Sequence, residues 1–545
     1  MCSSAATEAA PARCLLCSVG CPVRVMKAGP DRYLPDYVPH AGYAGLCGRG
    51  SVLADLLDHP ARLFQAHRHA AGGRCVLALK DAAREAAEAL RAAGEGGAIF
   101  ADGNFDCDAL AAVGGLAAAS GAGWSVSVEG GDAGLVHALD SSGCQFAGPE
   151  DLAEAGALLI VGNVFASHPV AAHWIFEARS RRPRMSVLVM ADASGITTQF
   201  ATAVYQVRLG VGETARALAA VASGRTEALG PGAAILAGWK EELKKAENPA
   251  IVVTADLGYA DARALGDAVA ALAKDAGARI CPLTAYGNAW GALRAGAAAG
   301  AGCPMQLLKG RPRTLLVIGR DLVAALGARA AGPVLDAVEE LIYVGPMPSA
   351  TSRRANLVIP AAFPFEAAGR VLLGPGREVR YGPLLSPPAG VPALAEVLAM
   401  MGAPAGPAAD LSGPAPPGPA VPSEPTPEPA DGQVILGPAA DPIDFADGSL
   451  TRATSWPQKV RPRPVVLMSA RDAEAAGLVE AAVALVTGPG GSARCEVRVS
   501  EAQRPGQART SAAFAEVRDL FGWTTDGRAI GDPVPVTISK AQPGG

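Results

Sequence analysis

The sequence predicts a multi-domain α/β protein with doubly wound parallel sheets and a small β-rich domain after them. The chain has 545 residues, more than one hydrophobic core organises. Between about residues 75 and 400, short apolar runs alternate with helical stretches. Continuous apolar strands separated by helices are typical of parallel sheets covered on both faces.

Six apolar runs predict the parallel strands, and each ends in small or acidic residues. They are GAIFAD (97–102), ALLIVGN (157–163), MSVLVMAD (185–192), PAIVVTAD (249–256), TLLVIGRD (314–321) and LIYVGPM (341–347). The segment DAAREAAEALRAA (81–93) predicts a helix. Ligands of such sheets bind at the carboxyl ends of the strands. Gly162 and Asn163 are therefore candidate points of close approach to a ligand.

Two blocks of the central part have a similar pattern. Residues 154–194 and residues 310–349 each predict a strand, a loop, a helix and a second strand, with similar spacing. We interpret them as two related α/β units within one larger body.

The chain divides into four parts. Residues 1–70 are rich in turns and cysteines, and residues 71–402 form the α/β body. Residues 403–432 are dense in Pro, Ala and Gly without an apolar period, which predicts a linker. Residues 433–545 contain short strand-like runs and predict a compact β-rich domain.

The composition excludes several classes of function. The net charge of -5 is small for this length and gives no attraction to nucleic acid or to anionic membranes. No apolar run reaches the roughly 20 residues that span a bilayer. The N-terminal residues show no export signal, so we expect a cytoplasmic protein. The 11 cysteines are then expected as thiols or metal ligands.

Four cysteines near the N-terminus have a distinctive spacing. Cys14, Cys17 and Cys21 form a Cys-x2-Cys-x3-Cys motif, and Cys47 follows in LCGRG. Three close thiolates and a remote fourth provide the four ligands of a [4Fe-4S] cluster. Zinc is the alternative metal, although zinc sites usually contain two Cys-x2-Cys pairs. Four unrelated thiols are the third interpretation.

These motifs resemble the molybdopterin oxidoreductase family. Its members include catalytic chains of formate dehydrogenase, a chain of formylmethanofuran dehydrogenase, and a chain of bacterial complex I that keeps the fold and a cluster but lacks molybdenum. The resemblance covers nearly the whole chain. It rests on CLLCSVGC (14–21), GLCGRGSVLADLLDHPARL (45–63), DLAEAGALLIVGNVFASHP (151–169), RANLVIPAAFPFEAAGRV (354–371) and MSARDAEAAGL (468–478).

The resemblance implies a cofactor set and a domain order. It implies a [4Fe-4S] cluster in the N-terminal region, doubly wound domains and a C-terminal dinucleotide-binding β-barrel. A bis-molybdopterin guanine dinucleotide cofactor with Mo or W is implied for active members.

The resemblance also implies roles for three further residues, one in the N-terminal region and two in the body. Arg49 corresponds to the basic residue between cluster and pterin. His168 precedes Pro169 in a loop that contacts the pterin, and a buried or loop-capping role is the alternative. Asp192 corresponds to an acidic residue that binds the guanosine ribose, and a helix N-cap is the alternative.

The residues that formate dehydrogenases use for chemistry are missing. Their metal-binding cysteine or selenocysteine and the next histidine correspond to Ser127 and Val128. Ser127 is a weak candidate metal ligand, and an ordinary serine at a strand end is the alternative. The substrate-binding arginine corresponds to Thr284.

The sequence therefore supports three functional hypotheses. The leading one is an oxidoreductase subunit that passes electrons through one [4Fe-4S] cluster within a larger complex, resembling the cluster-containing, molybdenum-free chain of NADH-quinone oxidoreductase. Its expected partners are iron–sulfur or flavin proteins. The alternative is an active Mo or W enzyme, formate or formylmethanofuran dehydrogenase-like, with a metal ligand other than cysteine. A scaffold without redox chemistry is the third.

Overall fold

The structure, a computed structural model, describes residues 10–29, 32–38, 45–70, 73–301, 304–405, 408–415, 426–521 and 532–542. The strands are β1 Val23–Gly29, β2 Arg32–Tyr37, β3 Ala66–Ala70, β4 Gly73–Leu77, β5 Gly97–Asp102, β6 Gly123–Ser127, β7 Ala157–Val161, β8 Ser186–Ala191, β9 Ala203–Gln206, β10 Ala250–Thr254, β11 Arg279–Leu283, β12 Thr314–Ile318, β13 Glu340–Gly345, β14 Leu357–Pro360, β15 Gly369–Leu372, β16 Glu378–Tyr381, β17 Gln433–Pro438, β18 Val465–Met468, β19 Val483–Gly488, β20 Gly491–Val499, β21 Gln507–Thr510 and β22 Val534–Lys540.

The α-helices are α1 Gly48–Ser51, α2 Leu53–Leu57, α3 Leu79–Ala93, α4 Cys107–Ser120, α5 Gly130–Leu139, α6 Pro149–Ala153, α7 Val164–Ser167, α8 Ala171–Arg181, α9 Ile196–Gln199, α10 Glu213–Ser223, α11 Trp239–Lys245, α12 Tyr259–Ala276, α13 Ala289–Ala298, α14 Pro304–Lys309, α15 Leu322–Leu326, α16 Ala328–Asp336, α17 Ala350–Arg354, α18 Leu394–Met400, α19 Ser455–Val460, α20 Ala470–Ala475 and α21 Ala515–Arg518. Every helix in the described part of the chain is too short or too polar to cross a lipid bilayer.

A five-stranded parallel sheet forms one half of the body. Its strand order is β11-β10-β7-β8-β9, and all neighbouring pairs are parallel. The chain proceeds in one direction from β7 to β9 and places β10 on the other side of β7. The strand order therefore reverses between β7 and β10, and such a point opens a crevice at the carboxyl ends of the strands.

A seven-stranded sheet forms the other half. Its order is β4-β3-β14-β13-β12-β5-β6, with parallel pairing from β14 to β6 and the antiparallel strands β3 and β4 at one edge. Its order reverses between β5 and β12. The two blocks that look related in the sequence contribute β7 with β8 and β12 with β13, so they lie in different sheets.

The C-terminal part is a closed barrel. Its strand order is β17-β21-β18-β20-β19-β22, and its interior is filled by apolar side chains. The predicted α/β class, the parallel sheets and the C-terminal barrel are thus confirmed. Within the predicted linker 403–432, residues 406–407 and 416–425 lie outside the described residues, and the others form neither helix nor strand.

A buried ion pair joins the N-terminal region to the body. Arg62 donates from Nη1 and Nη2 to the two carboxylate oxygens of Glu366, at 2.7 Å each. Both side chains are 1% exposed. Arg62 also donates to the carbonyl oxygen of Leu57, and Glu366 accepts from the backbone N–H of Phe363. This fork geometry satisfies both charges in a place that water does not reach.

Removing one partner of this pair should destabilise the fold. We expect Glu366→Leu to lower the free energy of unfolding by about 3–5 kcal/mol, because Arg62 is left charged and buried. Arg62→Met together with Glu366→Leu should recover most of this loss. The exposed pair Arg354–Asp336 gives the control, since Asp336→Leu should cost less than ~1 kcal/mol. Denaturant unfolding measures all four proteins, and equal losses for Glu366→Leu and Asp336→Leu would contradict the account.

Candidate functional site

The four cysteines of the N-terminal motif line one small cavity. The first three lie on a tight loop that is closed by a hydrogen bond from Cys14 N to Cys21 O, 2.9 Å. Gly20 has a φ of 65°, the left-handed conformation that this turn requires. Cys47 immediately precedes α1 and reaches the cavity from the other side. The structure thus brings the four predicted ligands together.

The segment after β11 holds this cysteine loop through hydrogen bonds. Ser18 N donates to the carbonyl oxygen of Thr284 at 3.0 Å, and Thr284 N donates back to the hydroxyl of Ser18 at 2.8 Å. Gly287 N donates to the carbonyl oxygen of Leu15, 3.0 Å. A Cβ on Gly287 would lie 2.4 Å from that oxygen, so only glycine permits this approach. The residue that replaces the substrate-binding arginine of relatives, Thr284, is therefore part of the loop support.

Burial dominates the electrostatics of the thiols. It raises the pKa of Cys14 and of Cys21, and the neighbouring cysteines raise both further. The buried guanidinium of Arg49 acts in the opposite direction on the pKa of Cys14 and of Cys17. Free thiolates would be costly here, whereas a bound metal stabilises the deprotonated form.

A central cavity of about 740 Å³ lies beyond Arg49 and His168. Arg49 donates from Nη2 to the carbonyl oxygen of Ser167, and His168 is 1% exposed. His168 also lines the cysteine cavity, so it separates the two spaces. The other walls come from the start of α5, the end of β10 and two segments of the C-terminal domain. Their polar residues are Glu129, Asp132, Asp256, Asp441, Asp444, Ser511 and Arg518.

A second cavity opens where the strand order of the five-stranded sheet reverses. Gly162, Asn163 and Asp192 line it, as expected for residues at the ends of β7 and β8. Gly162 has a φ of 93°, and a Cβ there would lie 2.8 Å from Thr254 Cγ2. The Asp192 carboxylate pairs with Arg509 of the barrel at 2.5 Å. The cavity is therefore closed by the C-terminal domain.

A third cavity lies at the corresponding point of the seven-stranded sheet. Asp102 and Asn104 after β5 line it together with Arg320 after β12 and Asp447 of the C-terminal domain. The Arg320 guanidinium lies 3.3 Å from Asp447 and 3.9 Å from Asp102. The side-chain oxygen of Asn104 is buried without a hydrogen-bond partner. An unpaired buried acceptor in a cavity wall fits a ligand that donates hydrogen bonds.

The stretch that holds the metal ligand in formate dehydrogenases offers no available donor to the central cavity. Ser127 ends β6 and pairs with Asp102 in the sheet, and it is not among the described residues that line this cavity. Glu129 does line it, but Arg320 at 2.8 Å and Arg518 at 3.5 Å hold its carboxylate. Asp132 accepts from two backbone N–H groups. Within residues 125–132, the two carboxylates that line this cavity are thus already engaged by other groups of the protein.

Three other side chains of metal-binding type, His173, Cys107 and Cys144, do not line these cavities. His173 is exposed on α8, whereas His168 is buried. The thiol of Cys107 faces the side-chain oxygen of Asn288, and that of Cys144 faces a backbone carbonyl. Among the described residues, no three His, Cys, Asp or Glu side chains are arranged to hold a single metal ion.

Comparison with known proteins agrees with this arrangement. Residues 445–533 match the family described as molydopterin dinucleotide binding domain. The fold is similar to that of acetylene hydratase from Pelobacter acetylenicus, with a TM-score of 0.75 and 11% identity over 98% of this chain and 100% of that chain. No match is found among curated proteins by sequence. The C-terminal part of the chain therefore matches a molydopterin dinucleotide binding domain, and the fold of the whole chain is similar to that of acetylene hydratase.

The match of the C-terminal domain fits the position of the two strand-end cavities, which both face the barrel domain. The matched domain supports a molybdopterin cofactor, and both cavities are closed by residues of that domain. The sequence pattern indicates the residues of one cavity but not Asp102, Asn104 and Arg320 of the other. The similarity between blocks 154–194 and 310–349 is the signal that could have found them, since Gly319 and Arg320 follow β12 as Gly162 and Asn163 follow β7.

The buried carboxyl group of Asp102, in the wall of the third cavity, predicts that the stability of the folded protein depends on pH. Burial raises the pKa of Asp102 to about 7, with smaller contributions from Asp447 and Glu129. A raised carboxyl pKa favours the folded state at low pH, and this contribution is lost as the pH rises through the folded-state value. Between pH 5 and pH 8 the free energy of unfolding of the wild-type protein should fall by about 2–3 kcal/mol. That of Asp102→Asn should not show this fall. Parallel pH curves of unfolding free energy for the two cofactor-free proteins would contradict this prediction.

Proposed function

We propose that this chain is an iron–sulfur subunit of the molybdopterin oxidoreductase family that passes electrons through one [4Fe-4S] cluster held by Cys14, Cys17, Cys21 and Cys47. The single observation that carries the proposal is the convergence of these four cysteines on one buried cavity. When bound, such a cluster supplies one-electron oxidation and reduction.

The donor set favours a cluster over a single zinc ion. In a cubane each thiolate binds a different iron, so the four sulfurs surround a volume rather than one point. A zinc ion needs its four ligands at about 2.3 Å from one centre. The chain has one Cys-x2-Cys-x3-Cys motif and a remote Cys47 rather than the two Cys-x2-Cys pairs usual for zinc, and this spacing supports the cluster.

Arg49 gives the cluster a fixed positive charge. Its guanidinium is 3% exposed and interacts with Cys17 and Cys47 on one side and with Asp441 on the other. A cation beside a cluster stabilises the reduced, more negative form. Because Arg49 also lines the central cavity, it connects the electrostatics of the cluster to the pterin site.

The chain's residues at the strand ends suit a molybdopterin dinucleotide. Gly162 allows close approach at one end of β7, and Asp192 offers carboxylate oxygens to ribose hydroxyls. Burial, followed by the neighbouring Asp192, raises the pKa of Asp256 to about 6, and this residue lines two of the cavities. A carboxyl group tuned in this way either accepts or donates a hydrogen bond near neutral pH.

A second candidate function is an active Mo or W oxidoreductase. The dinucleotide-binding domain and the cavities at both switch points favour it. In that case the metal would be held without a side chain from residues 125–132. The expected setting of either function is a cytoplasmic complex with iron–sulfur or flavin proteins.

Cysteine substitution tests the cluster. We expect Cys47→Ala to lose most of its iron and its broad visible absorption, because one iron loses its protein ligand. The exposed cysteine of β4 provides the matched control, and Cys75→Ala should keep four irons per chain. Iron analysis of the anaerobically purified variants decides the matter. Equal iron content in the two variants would contradict the assignment of Cys47 as a cluster ligand.

Metal and pterin analysis separates the two candidate functions. The relay predicts stoichiometric iron and sulfide without Mo or W, whether or not pterin is present. The active enzyme predicts Mo or W with two pterins per metal. X-ray absorption of a bound metal would further show whether a protein oxygen coordinates it, and we expect none from Glu129 or Asp132 because both carboxylates are already engaged.

A further inference from the structure

His168 occupies the wall between the cysteine cavity and the central cavity. Among the described residues it is the one side chain that lines both. Its position follows from the sequence, because the short helix α7 ends at Ser167 and the next residue caps it. The imidazole is 1% exposed and is therefore fixed by its hydrogen bonds rather than by water.

The partners of the ring determine its tautomer. Nε2 lies 2.9 Å from the carbonyl oxygen of Thr284, and a carbonyl only accepts. Nε2 therefore carries the hydrogen. Nδ1 lies 3.0 Å from the hydroxyl oxygen of Ser167, whose O–H is also within 3.2 Å of the carbonyl oxygen of Asn163. Burial, followed by the neighbouring Arg49, lowers the pKa of His168 to about 3, so the ring is neutral.

The same carbonyl oxygen holds the cluster loop. Thr284 O accepts from Ser18 N as well as from His168, and Ser18 directly follows Cys17. Ser167, the other partner of the ring, accepts from Arg49 through its carbonyl oxygen. A continuous set of buried hydrogen bonds thus runs from the residue after Cys17 through Thr284 and His168 to Arg49. It encloses the side of the cysteine cavity that faces the central cavity.

We infer that His168 is a positioning residue that sets the reduction potential of the cluster through the Thr284 carbonyl and the Ser18 backbone. The inference rests on the proposed function, since it requires a cluster on the four cysteines. The His168 N–H compensates the negative end of the Thr284 carbonyl dipole. Without the His168 N–H, the Thr284 carbonyl dipole opposes the extra negative charge of the reduced cluster more strongly, and the reduction potential falls. Reduction potentials of clusters depend on hydrogen bonds and buried dipoles near the sulfurs.

Two substitutions separate the hydrogen bond from the volume of the ring. His168→Phe keeps a ring but removes the donor, and we expect the midpoint potential of the cluster to fall and its EPR spectrum to change. His168→Gln retains an N–H that can reach Thr284 O and should restore the wild-type potential. The control is His69→Phe, which removes an imidazole bonded to the Ala355 carbonyl near the sheet edge. It should leave the potential unchanged.

The measurement is an EPR-monitored redox titration of the full-length, anaerobically purified proteins. A wild-type potential in His168→Phe, with iron content preserved, overturns the inference and leaves the proposed function intact. A shift of equal size in His168→Gln also overturns it. If His168→Phe does not fold, Ser18→Ala tests the same path, because it removes the acceptor of Thr284 N and should also lower the potential. Wild-type protein without iron overturns both proposals.

Discussion

The burial of three thiols, Cys14, Cys17 and Cys21, beside a fourth at Cys47 is the constraint on which the rest of the site depends. Burial disfavours the thiolate form of Cys14, Cys17 and Cys21 by raising the pKa of each, and one buried guanidinium, Arg49, partly offsets it. Such a group of thiols is stable either fully protonated or bound to metal. The segment from Thr284 to Gly287 holds the cysteine loop in one arrangement through hydrogen bonds, which makes metal binding the better explanation for the convergence of the thiols.

The second organising feature is the pair of strand-order reversals in the two sheets. Each opens a crevice at the carboxyl ends of its strands, and the C-terminal barrel covers both. Arg320 and Arg518 bring the seven-stranded sheet and the barrel together on Glu129. The Glu129 carboxylate, which lines the central cavity, therefore joins the seven-stranded sheet to the barrel domain. It is not free to bind a metal.

The sequence predicts the elements of the fold well because buried parallel strands are continuous apolar runs. Strands β5, β7, β8, β10, β12 and β13 form at the predicted segments; each begins within one residue of the predicted start, and the ends lie up to three residues before the predicted ends. The assignment of β12 and β13 to a separate sheet is not predictable, since local pattern does not encode which strands pair. Spacing identifies the four cysteines, whereas the roles of Thr284 and Glu129 depend on contacts between residues more than 100 positions apart in the chain. Ser127 depends on a register that the resemblance fixes only approximately.

The most direct test of the central claim is the iron and acid-labile sulfide content of anaerobically purified wild-type protein, measured with the EPR spectrum after reduction. The account predicts four irons and four sulfides per chain and the signal of one reduced [4Fe-4S] cluster. Stoichiometric zinc without sulfide, or thiols that all react with an alkylating reagent after unfolding in metal-free protein, would contradict it.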